Sequence, residues 1–217
     1  MMSFVAHCNE IANRLKTIPV FWDGKKSILE MKQNGFNQWK QMEWIGWYFE
    51  YLCSIKLNDI MQIPHGKKYG NVKFDGFYNF PWDFKSHAKE SGNKIIVNDE
   101  EAIHAAIEDF GLVGLILAHG NVSYDDEKRA FQSWHKEIKG GESDYEIKRK
   151  ERGAKSRLRK VSFTLQNIML IKITEDTLKK TSSFQNNFRN SDGSPRRKKI
   201  LLDITELKND QVHFITF

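Results

Sequence analysis

The chain has 217 residues, 40% hydrophobic and 29% charged, with a formal net charge of +6. That balance supports a sizeable buried core and excludes collagen-like, low-complexity and wholly disordered chains. No apolar run reaches the roughly 18 residues of a membrane span, and the opening residues lack the basic start and apolar stretch of a secretory leader, so the expectation is a cytoplasmic protein with no membrane partner.

Residues 3–18 place Phe4, Cys8, Ile11, Leu15 and Ile18 at helical spacing, and Pro19 ends the pattern. The two cysteines, Cys8 and Cys53, are isolated in apolar contexts, which fits reduced core thiols rather than a disulfide or a zinc site. A second helix is predicted from Asn37, as its cap, to about Leu57. It is apolar nearly all round (Trp39, Trp44, Trp47, Phe49, Leu52) and should be buried. Glu43 and Glu50 fall on one face of it. Pro64 to Gly70 is a turn-rich break. Two strands, 71–77 and 80–87, then fold against each other about Asn79 as a hairpin.

Residues 94–97 read as strand or loop, and Asn98 or Asp99 caps a helix that Gly111 closes. Leu112–Ala118 is a continuous apolar run of strand length, as in a central strand covered on both faces. A helix over 125–139 follows. Residues 148–160 form a basic loop or helix, 161–173 a strand, 181–195 a polar turn-like stretch, and 200–204 and 212–217 the last strands. Helices alternating with buried strands predict an α/β fold with a mixed central β-sheet flanked by helices. With no Gly/Ser-rich linker, residues 1–217 read as one domain: a core over about 37–139 and a basic region over about 148–217.

Residues 148–217 hold 17 Lys and Arg against 7 Asp and Glu, whereas the preceding residues are mildly acidic. A polyanion, most simply nucleic acid, is the partner such a distribution fits; a solubilising surface is the plain alternative.

The chemistry-bearing segment is the hairpin. The two-residue repeat of a strand puts Asp83, Lys85 and His87 on one face, and folding about Asn79 brings Asp75 opposite or nearly opposite Asp83. Two carboxylates that close repel unless a positive group lies between them. A divalent cation does this, and so in part does the Lys85 ammonium. Hard oxygen ligands with open water positions suit magnesium. Lys85 is then placed to position a water, or, if its pKa is lowered, to act as a general base.

An Asp ending one strand, Asp75, followed by an acidic-x-Lys triplet on the next, Asp83-Phe84-Lys85, resembles the PD-(D/E)XK nuclease superfamily, with Phe74 in place of the Pro. Gly46-Trp47-Tyr48-Phe49-Glu50 matches the upstream Gly-x-x-x-Glu that the family often adds, with Glu43 as a rival carboxylate. The resemblance spans about residues 43–118. It implies a restriction-endonuclease-like core, Mg2+ held by Asp75, Asp83 and the Phe84 carbonyl, Glu50 on or near the metal, and Lys85 at the attacking water. The small size and basic C-terminal portion resemble type II restriction endonucleases, which implies site-specific hydrolysis of double-stranded DNA by a homodimer, leaving 5′-phosphate ends.

His87 is then expected at a phosphate, as are Lys155, Arg157 and Arg159. Gln185, Asn187, Arg189 and Asn190, with Arg196 and Arg197 flanking, are of the types that read base edges. A repair or junction-resolving nuclease of the same superfamily and a non-catalytic nucleic-acid-binding protein are the alternatives.

Overall fold

The computed structural model describes residues 3–64, 74–185 and 194–217. Helix α1 (Phe4–Leu15), capped by the Ser3 hydroxyl, buries Cys8, Ile11 and Leu15 on its predicted apolar stripe. Strand β1 (Phe21–Asp23) and helix α2 (Gly24–Gln33) follow. Neither is anticipated from periodicity, because a three-residue strand has no readable alternation. Asp23 caps α2 by accepting from the Lys26 amide. Gly24 opens that helix because a Cβ there would lie 2.7 Å from the Val161 carbonyl oxygen.

The helix expected over 37–57 is broken. Residues Asn37–Lys40 form one 3-10 turn, and α3 runs from Trp44 to Lys56. Asn37 caps nothing. The Trp39 carbonyl accepts from His135 Nε2 at 3.0 Å and the Trp44 indole donates to the Lys160 carbonyl at 2.7 Å. A continuous helix would spend the first of these groups on its own ladder.

Strands β2 (Gly76–Tyr78) and β3 (Phe80–Ala88) make the hairpin, with Asn79 left-handed at φ 61° between the paired Tyr78 and Phe80. The strand expected over 71–77 is thus shorter, its earlier part falling in 65–73, outside the described residues. Strand β4 (Lys94–Asp99), helix α4 (Glu100–Phe110) ending on Gly111, and strand β5 (Val113–Tyr124) come next. Helix α5 (Ala130–Ile138) starts later than its sequence pattern, because the buried Asp125 carboxylate accepts from the Phe131 and Gln132 amides, holding 125–129 as an irregular lead-in. Helix α6 (Asp144–Glu151), strand β6 (Lys160–Ile173), helix α7 (Glu175–Thr181), and strands β7 (Ser182–Gln185), β8 (Lys199–Asp203) and β9 (Val212–Thr216) complete the chain.

The central sheet runs β1-β6-β5-β3-β2, with β9 pairing on β6 alongside β1. Only β3 and β5 are parallel; the other pairings are antiparallel, so the sheet is mixed as expected. Alternation on β5 sends Ile116 and Ala118 into one core with α1–α3, and Val113, Leu115 and Leu117 into a second core. That second core is closed by α4, α7 and a three-stranded sheet, β4-β8-β7. Both faces of β5 are therefore covered, which is why its sequence is continuously apolar. Among the described residues no helix is long and apolar enough to cross a membrane.

The site-bearing strand is locked at Trp82. Its ring fills the space beside Gly114 on β5, where a Cβ would lie 2.3 Å from Trp82 Cε3. Gly114→Ala should therefore destabilise the fold by about 1–3 kcal/mol, the range for overpacking a rigid core, measured as a lowered urea midpoint at unchanged m-value.

Candidate functional site

The site lies where β2 ends and β3 continues without it. Pairing between them stops at Gly76 and Trp82, so from Asp83 onward one edge of β3 has no strand partner among the described residues while β5 occupies the other. The Asp75 amide donates to the Trp82 carbonyl at 3.0 Å, and its Oδ2 accepts from the Phe84 amide at 2.7 Å. A carboxylate thus satisfies the first free edge donor, as buried backbone groups demand. The N–H and C=O of one strand residue point the same way, so the Phe84 carbonyl also faces this edge.

Into it reaches Lys85. Its Nζ donates to the Phe84 carbonyl at 3.2 Å, lies 2.7 Å from Asp83 Oδ2 and 3.8 Å from Asp75 Oδ2. The ammonium thus sits in a nest of three oxygens from Asp75, Asp83 and Phe84. Asp83 Oδ2 is buried, and this ammonium is its charged neighbour. Burial pushes Asp83 well above the ordinary carboxylate range, opposed by Lys85 and reinforced by Asp75. Burial alone would lower Lys85, but Asp83 and Asp75 outweigh it and hold the ammonium above its usual value. With these carboxylates as its neighbours Lys85 keeps its proton and acts as a charge and hydrogen-bond donor; the lowered value expected of it belongs to a lysine beside a bound cation.

Glu50, on α3, completes the group. It lines a cleft of about 550 Å³ together with Asp75, Phe84 and Lys85. Burial, then the Asp75 charge, push its carboxyl up to about 8, with Lys85 pulling the other way. Gly46 faces the same cleft, but a Cβ there would meet only Ser86 Oγ at an ordinary 3.6 Å; no close approach demands that glycine. The rival Glu43 is exposed and pairs with Lys160 at 3.6 Å. Among the described residues no three Asp, Glu, His or Cys side chains converge tightly enough to cage a metal by themselves. What the edge offers is two carboxylates and a peptide carbonyl.

The residues expected to contact DNA scatter. Lys155, Arg157 and Arg159 line a second cleft, of about 820 Å³, which shares Glu43, Ile45 and Lys160 with the first. Arg159 is largely buried and lies 3.7 Å from Glu146, so Lys155 and Arg157 are the exposed cations of the three. Arg149, Lys160 and Tyr124 also face this cleft; the first two are legible in the sequence only as members of a charge run, and Tyr124 carries no signal at all.

His87 lies outside both clefts, its Nε2 2.6 Å from the Gly92 carbonyl and its ring stacked on His119. Gln185 ends β7 within the three-stranded sheet rather than lying in a loop. Arg196 and Arg197 are exposed in the segment leading to β8 and line neither cleft. Asn187, Arg189 and Asn190 lie outside the described residues.

The raised Glu50 carboxyl has a measurable consequence. The native state keeps this proton up to about pH 8, whereas an unfolded chain releases it near the ordinary value of 4.5. Across that window the native state binds more protons, so its stability falls as pH rises. Glu50→Gln, which mimics the protonated form, should flatten that decline and raise Tm at pH 8 and above, read by thermal melts in chelator. No protein-family model, curated protein or solved structure matches the chain.

Proposed function

We propose that this protein is a Mg2+-dependent endonuclease that hydrolyses DNA phosphodiester bonds at the Asp75–Asp83–Lys85 edge and leaves 5′-phosphate ends. The observation that carries the reading is the oxygen nest around Lys85. Two chain segments, Asp75 before β2 and β3 itself, bring Asp75, Asp83 and the Phe84 carbonyl to one point, and a cation, the ammonium, already occupies their common centre.

The donor set fits magnesium. That ion takes hard oxygen ligands, is commonly held by one or two carboxylates plus waters and substrate phosphates, and does not need a full protein cage. Asp83 Oδ2, buried and 2.7 Å from the Lys85 ammonium, is the oxygen that most strongly draws a cation to this point. Asp75, Asp83 and the Phe84 carbonyl would hold the metal, with Glu50 at its side. When bound, it supplies neutralisation of charge on the phosphorus and stabilisation of the leaving 3′-oxygen.

The chain's own groups do the rest. Lys85, kept protonated, orients the attacking water and faces the developing negative charge. Glu50, which lines the same cleft, is the carboxylate that, ionised beside the cation, would take the proton of the attacking water. Lys155 and Arg157, in the adjoining cleft, meet the phosphate backbone and set its position. The finer reading is a type II restriction endonuclease of PD-(D/E)XK type, with a restriction-endonuclease-like core. It would act in the cytoplasm as a homodimer, since two copies are needed to place one such edge on each strand of a duplex.

Incubation of the purified chain with long duplex DNA, with Mg2+ or with chelator, tests this directly. Cleavage that needs Mg2+, resolved as discrete bands, is the expected result. Asp75→Ala, Asp83→Asn and Lys85→Ala should each lower it by on the order of 10²–10⁴-fold while binding in chelator stays within a few-fold. Undiminished cleavage by Asp83→Asn would overturn the assignment.

A further inference from the structure

A third cleft, of about 490 Å³, lies at the C-terminal ends of α2 and α3 and plays no part in the reaction described above. It adjoins the carboxylate cleft through Gln38, as the basic cleft adjoins it through Glu43, Ile45 and Lys160. Helix α3 is a wall of all three. Its Trp44 and Ile45 serve the basic cleft, Ile45 and Glu50 the carboxylate cleft, and Tyr51, Ser54 and Ile55 the third.

The chemistry changes along this line. The cleft with Lys155 and Arg157 is cationic and the one with Glu50 and Asp75 carboxylate-lined, whereas the third is lined by no charged side chain. Asn34 and Ser54 in its lining donate to the Glu30 and Tyr51 carbonyls, whereas the side-chain amides of Asn37, Gln38 and Asn58 have no intramolecular hydrogen-bond partner among the described residues. Its apolar wall is Phe36, set edge-on to Tyr51 with ring centroids 5.5 Å apart. Neutral amides offer both donors and acceptors, and an aromatic wall offers a stacking surface. That combination suits a flat, uncharged heterocycle and offers a phosphate no positive charge.

We infer that this cleft binds one nucleobase of the strand whose phosphate lies at the Asp75–Asp83–Lys85 edge, and so makes the protein selective for the base beside its cutting position. The inference rests on the nuclease reading for the position of the phosphate. The four helical steps from Glu50 to Ser54 span about 6 Å of helix axis, or roughly two steps along a strand at 3.4 Å per nucleotide. The selected base therefore sits one or two nucleotides from the reacting phosphate.

The test is fluorescence anisotropy of the full chain in chelator with labelled 12-mer strands of dA, dT or dC. The wild type should prefer one homopolymer over the least favoured by on the order of tenfold, the discrimination amide contacts to a base give. Asn37→Ala combined with Asn58→Ala, at exposed positions where folding is checked by thermal melting, should shrink that ratio to below about twofold. Lys155→Ala with Arg157→Ala should weaken all three strands alike and leave the ratio intact. Equal affinities in the wild type, no binding to any strand, or an unchanged ratio in the amide variant would each overturn the inference. Base preference in chelator without any Mg2+-dependent cleavage would uphold the base site while the hydrolase reading fails; cleavage with equal affinities would do the reverse.

Discussion

The Asp83–Lys85 contact is the interaction on which the site depends. A carboxyl group only 2% exposed carries a large desolvation cost, and the ammonium 2.7 Å away is what offsets it. Removing one member of such a pair leaves the other buried and uncompensated, which is far more costly than the pair is stabilising. The same contact draws the lysine side chain over the open edge of β3, and there it meets the Phe84 carbonyl and Asp75. The edge exists because β2 stops at the register of Trp82. A longer β2 would satisfy the Phe84 backbone with a strand and leave Asp75 no reason to be there.

Charge, by contrast, is organised less simply than its distribution along the chain. The basic C-terminal third divides in space. Residues 155–160 face the cleft beside the carboxylates, whereas Lys198 and Lys199 lie 3.9 Å and 2.6 Å from Glu100 and Asp99 where α4 begins. The second group is locally neutralised by acidic side chains at a helix N-terminus, where they are favourable in their own right. A net charge summed over seventy residues cannot distinguish a binding surface from an internal ion-pair ladder; only the partners can.

Much of this was legible in the sequence where a strong local rule applied. The apolar stripe of α1, the continuously apolar β5, and the hairpin about Asn79 each follow from one periodicity or one turn residue. The meeting of Asp83 with Lys85 follows from alternation alone, and that of Asp75 from the hairpin register. What escaped depended on distant partners. The break before α3 exists because Trp39 and Trp44 bond to His135 and Lys160, about a hundred residues away in sequence. The late start of α5 comes from the Asp125 carboxylate reaching past it, and β1 is defined only by β6, with no pattern of its own. Glu43 and Glu50 share a face on an ideal helix, yet the break turns Glu43 out to Lys160 and leaves Glu50 with Asp75.

Strand β6 is edged on one side by two short strands from opposite ends of the sequence, residues 21–23 against 162–164 and 212–216 against 167–171. During synthesis the N-terminal strand therefore waits for about 140 residues before its template exists, and the lower half of that template stays bare until residues 212–216 emerge. Such pairings of high sequence separation form slowly, and a bare hydrophobic edge is a hazard for intermolecular association while it lasts. Residues 212–216 thus act as a clasp, and without them the lower half of β6 would keep an adhesive seam.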